Sequence, residues 1–143
     1  MLIIGISEYH VIEGDSISLP CNITKQEWNQ DLISLIVWYR LRNQGIPIYS
    51  IDTRTKQQQQ QRLRHQIMPE LNGRVHMDFH TDPPVLNVDD VQIDDAGDYR
   101  CRVDYRMNRT KHFLIHLNVS GEFCFIFFQF SSISFWFCCH HYN

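Results

Sequence analysis

Apolar and polar side chains alternate with a period of two along residues 8–120 of the chain. Ile17, Leu19 and Cys21 are separated by serine and proline, which predicts a half-buried strand. The β-branched and aromatic run at 35–39 is typical of a central strand. By these criteria we predict strands at residues 16–21, 35–39, 48–51, 74–79, 85–91, 99–105 and 113–119.

Turn signals separate the predicted strands. Glycine together with asparagine or aspartate occurs in each of the segments 13–15, 43–45, 71–73 and 94–97. The body of the chain contains no long amphipathic helical pattern, so no strand-helix-strand unit can be drawn. The sequence therefore predicts an all-β antiparallel sandwich or barrel and excludes an α/β enzyme fold.

Composition divides the 143 residues into two unlike parts. Segment 122–143 holds seven of the nine phenylalanines and a single charged residue, Glu122. The chain carries 16 acidic and 13 basic residues, a net charge of −3, which argues against a nucleic-acid partner. Five consecutive glutamines at 57–61 are interpreted as a solvated loop.

A cysteine motif carries a family resemblance. Cys21 and Cys101 fall on inward strand positions, and Trp38 lies seventeen residues after the first cysteine. Residues 95–101 spell Asp-x-Gly-x-Tyr-x-Cys. In these features the sequence resembles the immunoglobulin superfamily. The resemblance implies a disulfide between Cys21 and Cys101 that joins two sheets, with Trp38 packed against the sulfur atoms.

The same resemblance implies roles for four further residues. Tyr99 would form a tyrosine corner, with its hydroxyl bonded back to the main chain. Gly97 allows the tight turn before it, and Asp95 is expected to pair with Arg74. These residues are interpreted as scaffold. The distance between the cysteines leaves room for an extra strand, so we expect a variable-type (V-type) immunoglobulin sandwich spanning residues 8–120.

Three segments resemble a narrower subgroup. Trp-Tyr-Arg at 38–40, the run at 45–54 and the run at 99–106 look like the first domain of sidestep-like proteins, which are arthropod neuronal adhesion receptors. That resemblance implies an extracellular domain of an adhesion or axon-guidance receptor. It also implies a partner from the immunoglobulin superfamily, of the beaten-path type. The glutamine run and everything after residue 120 depart from this subgroup.

An exposed sheet face supplies candidate binding residues. Strand alternation places Val37 and Tyr39 on the outer face of the sheet that carries Trp38. The neighbouring strand would add arginines and an aspartate to this face. Apolar and aromatic groups ringed by arginine are favoured in protein interfaces. The predicted binding residues are Val37, Tyr39, Tyr49, Arg102, Asp104 and Arg106, with Met107 secondary; the alternative is that the arginines are solvated or paired with nearby acids.

Secretion is indicated by three glycosylation sequons, at Asn22, Asn108 and Asn118. A disulfide also requires an oxidising compartment. Residues 1–7 are a short apolar start without the basic region of a leader, so they are interpreted as a leader remnant or a truncated start. We therefore expect an extracellular or cell-surface location.

Catalysis, metal binding and cofactor binding find no support in the sequence. None of the histidines lies in a recognisable nucleophile context. The pairs His76 with His80 and His112 with His116 are interpreted as outward polar residues of a sheet, so no metal site, cofactor or small-molecule substrate is expected. The alternative to an adhesion receptor is a secreted single-domain recognition protein of the immune type.

The phenylalanine-rich tail, residues 121–143, is interpreted as lying outside the fold. It does not resemble a further strand or a linker. The tail has three possible explanations: a weak membrane anchor, a segment that covers the core, or translated intron sequence. We favour the third, because introns are often rich in thymine and thymine-rich codons encode phenylalanine. Cys124, Cys138 and Cys139 would then be unpaired, and no zinc site is expected there.

Overall fold

The computed structural model describes residues 2–54, 64–121, 124–130 and 133–139. Every strand expected from the alternation overlaps a strand of the structure, whereas the glutamine run lies outside the described residues. The elements are β1 (Leu2–Ile12), β2 (Ile17–Pro20), α1 (Lys25–Asn29), β3 (Ile33–Arg40), β4 (Pro47–Asp52), β5 (Arg64–Ile67), β6 (Val75–Asp78), β7 (Val85–Val88), β8 (Gly97–Tyr105), β9 (Lys111–Ser120), β10 (Cys124–Phe130) and β11 (Ile133–Cys139), with single 3-10 turns at Leu41–Asn43, Pro69–Leu71 and Ile93–Asp95.

Two sheets form a sandwich. The larger sheet has the strand order β1-β9-β8-β3-β4-β5, and the smaller has the order β2-β7-β6. Alternate residues of both sheets point inward and are almost completely buried, as the alternating pattern requires. The core includes Leu19 and Leu86 from the small sheet and Ile36, Trp38 and Leu117 from the large one.

The first strand begins at Leu2, before the expected domain start at residue 8, so residues 2–7 belong to a paired strand. It pairs with β9 in parallel, whereas the other strand pairs of the two sheets are antiparallel. The register shifts between Ile3 and Ile6, and Gly5 between them has a φ of 65°. Glycine adopts this left-handed conformation without the steric cost that a Cβ imposes, and a bulge results.

The phenylalanine-rich tail contains a β-hairpin, although no strand was predicted there from the sequence. Strands β10 and β11 pair antiparallel, with Cys124 opposite Cys139 and Phe130 opposite Ile133. Aromatic and β-branched residues have high strand propensity, which accounts for the pairing. The hairpin forms a sheet of its own, separate from both sheets of the sandwich.

A short helix between β2 and β3 was also missed. Thr24 caps α1: its hydroxyl oxygen accepts a hydrogen bond from the Glu27 backbone N–H at 3.1 Å. The Glu27 carboxylate in turn accepts from the Thr24 backbone N–H at 2.8 Å. This reciprocal arrangement satisfies two otherwise unpaired N–H groups. The Thr-x-x-Glu spacing was a visible sequence signal for it.

Candidate functional site: the outer face of the six-stranded sheet

The disulfide expected from the motif is confirmed and anchors the scaffold behind the site. Cys21 is bonded to Cys101, with 5.8 Å between their Cα atoms. Trp38 lies directly opposite Cys101 on the neighbouring strand and is completely buried. Its indole N–H donates to the Met77 sulfur atom at 3.1 Å. The covalent link and the indole therefore occupy the centre of the core.

A buried carboxylate cluster, formed by Asp95, Arg40, Arg74 and Tyr99, lies at one end of the sandwich. Arg74 donates two hydrogen bonds to the Asp95 carboxylate, at 2.8 and 3.2 Å, and Arg40 donates a further one. The Tyr99 hydroxyl donates to the Asp95 backbone carbonyl at 2.6 Å, which is the geometry of a tyrosine corner. Arg40 was missed by the sequence analysis, although it shares the inward parity of Trp38.

The charge of Asp95 is maintained inside the protein by its donors. Burial alone would raise the pKa of this carboxyl. The Arg74 hydrogen bonds, the Gln92 backbone N–H and the nearby positive charges outweigh burial, so the pKa of Asp95 lies below its ordinary value. Asp95 is therefore an ionised structural group rather than a proton donor.

Strand register defines the outer face of the large sheet. Val37 lies between Ser50 on β4 and Arg102 on β8, while Tyr39 lies opposite Pro47 and Arg100. Because side chains alternate, these residues point away from the core. We call this surface the outer face; its apolar floor is Leu35, Val37 and Tyr39, and its charged residues are Asp52, Arg54, Arg64, Arg100, Arg102 and Asp104.

The floor of this face is more buried than we expected. Val37 is only 4% exposed and Tyr39 only 8% exposed, so the expectation of two exposed side chains was wrong. The Arg100 guanidinium lies 4.8 Å from the centre of the Tyr39 ring, within cation-π distance. Long arginine stems cover apolar neighbours while the charged end stays near solvent, which strand alternation alone does not reveal.

Arg102 and Asp104 form an ion pair along strand β8. The guanidinium donates to both carboxylate oxygens, at 2.9 and 2.7 Å, and the Thr110 hydroxyl donates to the same carboxylate at 3.0 Å. Burial alone would raise the pKa of Asp104, but these donors outweigh it and lower the pKa. Asp104 is therefore ionised, and two of the three charged residues predicted to bind a partner, Arg102 and Asp104, are paired with each other.

Tyr49 lies in the core rather than on the outer face, which corrects its assignment as a binding residue. It is 3% exposed and lies opposite the inward-facing Trp38. Its hydroxyl is hydrogen-bonded to Nδ1 of His65, 2.5 Å away. Burial raises the pKa of the Tyr49 hydroxyl. The regular β3–β4 register, in which Ile36 lies opposite Ile51 and Trp38 opposite Tyr49, places Tyr49 inward.

The turn between β8 and β9 extends the outer face at one end. The Arg106 Nε donates to the Asp31 backbone carbonyl at 2.9 Å. Met107 is 91% exposed, the most exposed large apolar side chain among the described residues. These two residues lie beyond the groove rather than within it. A shallow groove of about 380 Å³ occupies the centre of the face, between Tyr39 and Arg64.

Two buried nitrogen atoms on the strands of the outer face have no hydrogen-bond partner among the described residues. They are Nε of Arg100 and Nδ1 of His112. His112 lies opposite Arg102 on β9. Burial and the positive charges of Arg100 and Arg102 lower the pKa of His112. No pattern along the chain indicated either nitrogen.

The three glycosylation sequons differ in accessibility. Asn22 and Asn108 are exposed, and Asn118 is half-buried on β9. Asn22 follows the buried Cys21 at the end of β2, as the strand parity predicted. Asn108 lies in the turn between β8 and β9. All three remain expectations as glycan sites.

Two of the four histidines considered as a possible metal site, His80 and His116, are bonded to aspartates on different strands. His80 bonds to Asp78 at 3.0 Å, and His116 to Asp98 at 2.6 Å. Within the described ranges, no three histidine, cysteine or acidic side chains come together as metal ligands. The Cys-Cys-His-His run ends beyond residue 139, partly outside the described residues. In the same part of the chain, no helix has the length and apolar character needed to span a bilayer.

Comparison with known proteins agrees with this architecture. The sequence matches the protein family described as Immunoglobulin V-set domain over residues 6–120. No curated protein sequence matches the chain. The all-β, V-type sandwich expected from the cysteine motif is thereby confirmed.

Solved structures share the fold at low identity. The first Ig-like domain of human CD48 antigen superposes with a TM-score of 0.61 at 19% identity, covering 81% of this chain and 83% of that one. The first Ig domain of the mouse polymeric immunoglobulin receptor gives 0.56 at 23% identity, covering 83% and 94%. Murine CEACAM1b gives 0.56 at 16% identity, covering 80% and 51%. At these identities the likeness establishes the fold alone.

Proposed function

The chain belongs to the immunoglobulin V-set family, and from this premise we propose that it is an extracellular domain of a cell-adhesion or axon-guidance receptor. Domains of this family are typically non-enzymatic binding modules that lie outside the cell or on its surface. We propose that this one recognises another protein of the immunoglobulin superfamily through its outer face. The beaten-path type is the partner class that the sidestep-like segments favour.

The composition of the outer face carries this proposal. Leu35, Val37 and Tyr39 form an apolar floor, and arginines from strands β5 and β8 surround it. Interfaces between proteins are enriched in aromatic residues and arginine, which combine buried apolar area with directional hydrogen bonds. Because Val37 and Tyr39 are nearly buried, a partner would contact chiefly the arginines and reach the floor through the groove.

Glycans at the sequons are part of the proposal. A glycan on Asn22 would project from the end of β2, on the small sheet, and would leave the outer face accessible. One on Asn108 would flank the outer face at the β8–β9 turn. Both asparagines are exposed, which attachment requires.

A binding screen with matched variants tests the proposal. The secreted chain, displayed as a multimer, would be screened against extracellular immunoglobulin proteins that include the beaten-path type. Ser50→Arg places a bulky side chain in the groove, and we expect it to weaken binding at least tenfold. Ser18→Arg makes the same change on the small sheet and serves as the control, since Ser18 is exposed on β2. Absence of any immunoglobulin partner, or equal binding by both variants, would contradict the proposal.

A further inference from the structure

The charge of the outer face indicates what kind of surface it binds. Taking the proposed binding role of this face as given, we propose that its partner presents clustered aspartate and glutamate carboxylates. A protein surface rich in these groups would bind the arginines, whereas a second copy of this chain would not match them. This deepens the proposed function by specifying the chemistry of the partner.

Positive charge is concentrated on the face although the chain as a whole is negative. The groove is lined by three arginines, Arg54, Arg64 and Arg102, and by one acidic residue, Asp52. Arg100 and Asp104 lie beside it and add one charge of each sign, so the excess is two positive charges. The whole chain carries a net charge of −3. Complementary potentials guide association and disfavour partners of like charge.

The carboxylates of the face are already engaged by arginines of their own strand or turn. Asp52 accepts hydrogen bonds from Arg54 at 2.9 and 2.7 Å, and Asp104 accepts two from Arg102. Arg100 has no carboxylate partner among the described residues, and its buried Nε donates to no acceptor there. Because the domain encloses the Nε of Arg100, a partner's carboxylate would bind the terminal nitrogens of this guanidinium instead.

A face-to-face pair of identical copies fits these charges poorly. In a two-fold contact the same surface occurs on both sides, so two positive faces would oppose each other. The two acidic side chains of the outer face, Asp52 and Asp104, are each bound by an arginine of the same face. A second copy would therefore bring carboxylates that are already engaged. A different protein is therefore the better occupant.

An anionic polysaccharide would also be attracted to arginines, but the floor favours a protein. Leu35, Val37 and Tyr39 form an apolar centre under the charged rim. Val37 and Tyr39 are already nearly buried, so the apolar area left to cover belongs chiefly to the half-buried Leu35, and it favours a partner with an apolar side chain among its carboxylates. A sulfated sugar chain has no comparable apolar surface to place there.

Titration of the full chain with defined probes tests the inference. Uniformly 15N-labelled protein would be titrated with a decaglutamate peptide, with decalysine and with heparin, while amide chemical shifts are followed. We expect decaglutamate to shift amides of β3, β4, β5 and β8, and its affinity to fall at least tenfold in Arg64→Glu and in Arg102→Gln. Arg42→Glu is the matched control, because Arg42 is exposed in the turn after β3, outside the groove. Dispersed spectra verify that each variant is folded.

The outcomes separate the alternatives. Shifts confined to other surfaces, no shifts at all, or equal loss in the Arg42 control would overturn the inference. If heparin binds the outer face and decaglutamate does not, the inference fails and the occupant of the face is a polysaccharide. If the chain self-associates through this face, the inference also fails and the occupant is a second copy.

The partner screen distinguishes this inference from the proposed function. If an immunoglobulin partner is blocked by Ser50→Arg but binds Arg64→Glu and Arg102→Gln normally, the inference fails and the proposed function stands. If decaglutamate occupies the face and no immunoglobulin protein binds, the inference stands and the proposed function fails.

Discussion

Asp95 and Asp104 are both held by arginines, yet the two sites differ in burial and in the number of donors. Asp95 is 1% exposed and accepts hydrogen bonds from two arginines and from a backbone N–H. Asp104 is partly exposed and is bound by Arg102 of its own strand and by Thr110. The first site connects Arg40 of the large sheet with Arg74, which immediately precedes β6 of the small sheet. The second connects side chains along one surface.

The difference separates scaffold charges from charges available to a partner. In the buried carboxylate cluster the donors and the acceptor satisfy each other, so removing one leaves an uncompensated charge inside the protein. On the outer face arginines outnumber the acids, so part of their hydrogen-bonding capacity is not used within the described part of the domain. Similar residue types therefore stabilise the fold in one place and form the proposed binding surface in the other.

We expect Asp95→Ala to cause the largest loss of stability among these variants. It leaves Arg40 and Arg74 without their shared carboxylate, so the free energy of unfolding should fall by about 3–5 kcal/mol. Urea denaturation followed by tryptophan fluorescence measures the loss. Asp94→Ala is the control, since Asp94 is exposed in the same turn and should change stability by no more than about 0.5 kcal/mol. Equal losses in both variants would contradict the distinction.

Tyr39→Ala probes whether the floor of the outer face acts as packing. Because Tyr39 is 8% exposed and lies under Arg100, truncation should cost about 3 kcal/mol of stability. Tyr39→Phe keeps the ring and should cost less than about 1 kcal/mol. A fully stable Tyr39→Ala variant would mean that the ring contributes to binding alone. Thermal unfolding of both variants measures this.

The pH dependence of stability sharpens the contrast further. The pKa of Asp95 is lowered from 3.8, so ionised Asp95 stabilises the fold above that pH, and the contribution is lost as pH falls through the folded-state pKa. The stability difference between the unmodified protein and Asp95→Asn should therefore be largest above about pH 4 and shrink below it. Urea titrations at several pH values test this. A difference that stays constant through the acid range would be inconsistent with a lowered pKa.

The smallest expected effect is the coupling between Arg102 and Asp104. A double-mutant cycle with Arg102→Ala and Asp104→Ala should give an interaction energy below about 1 kcal/mol, because solvent screens a partly exposed pair. Added salt should reduce it further. A coupling as large as the loss in Asp95→Ala would place this pair with the scaffold.

Alternation and the cysteine motif predicted the body of the fold well, for a local reason. A half-buried strand needs one apolar and one polar side. The alternation within residues 16–21 and 99–105 is therefore enough to identify each segment as a strand, without knowledge of the strands beside it. The phenylalanine-rich tail and β1 were missed because their pairing partners were not evident from periodicity. The candidate site was predicted in part: the face and its arginines were located, but the exposure of Val37, Tyr39 and Tyr49 was not.

The sequence by itself determined which residues alternate, which cysteines fall on inward positions and which aspartate lies in the turn before β8. These properties depend on spacing along one strand. Only the tertiary structure decided that Arg40 joins Arg74 at Asp95, that Arg100 covers Tyr39 and that Tyr49 lies opposite the inward-facing Trp38. Each of these depends on how side chains from different strands meet, and the reach of a long side chain across a sheet is not encoded in the period of its own strand.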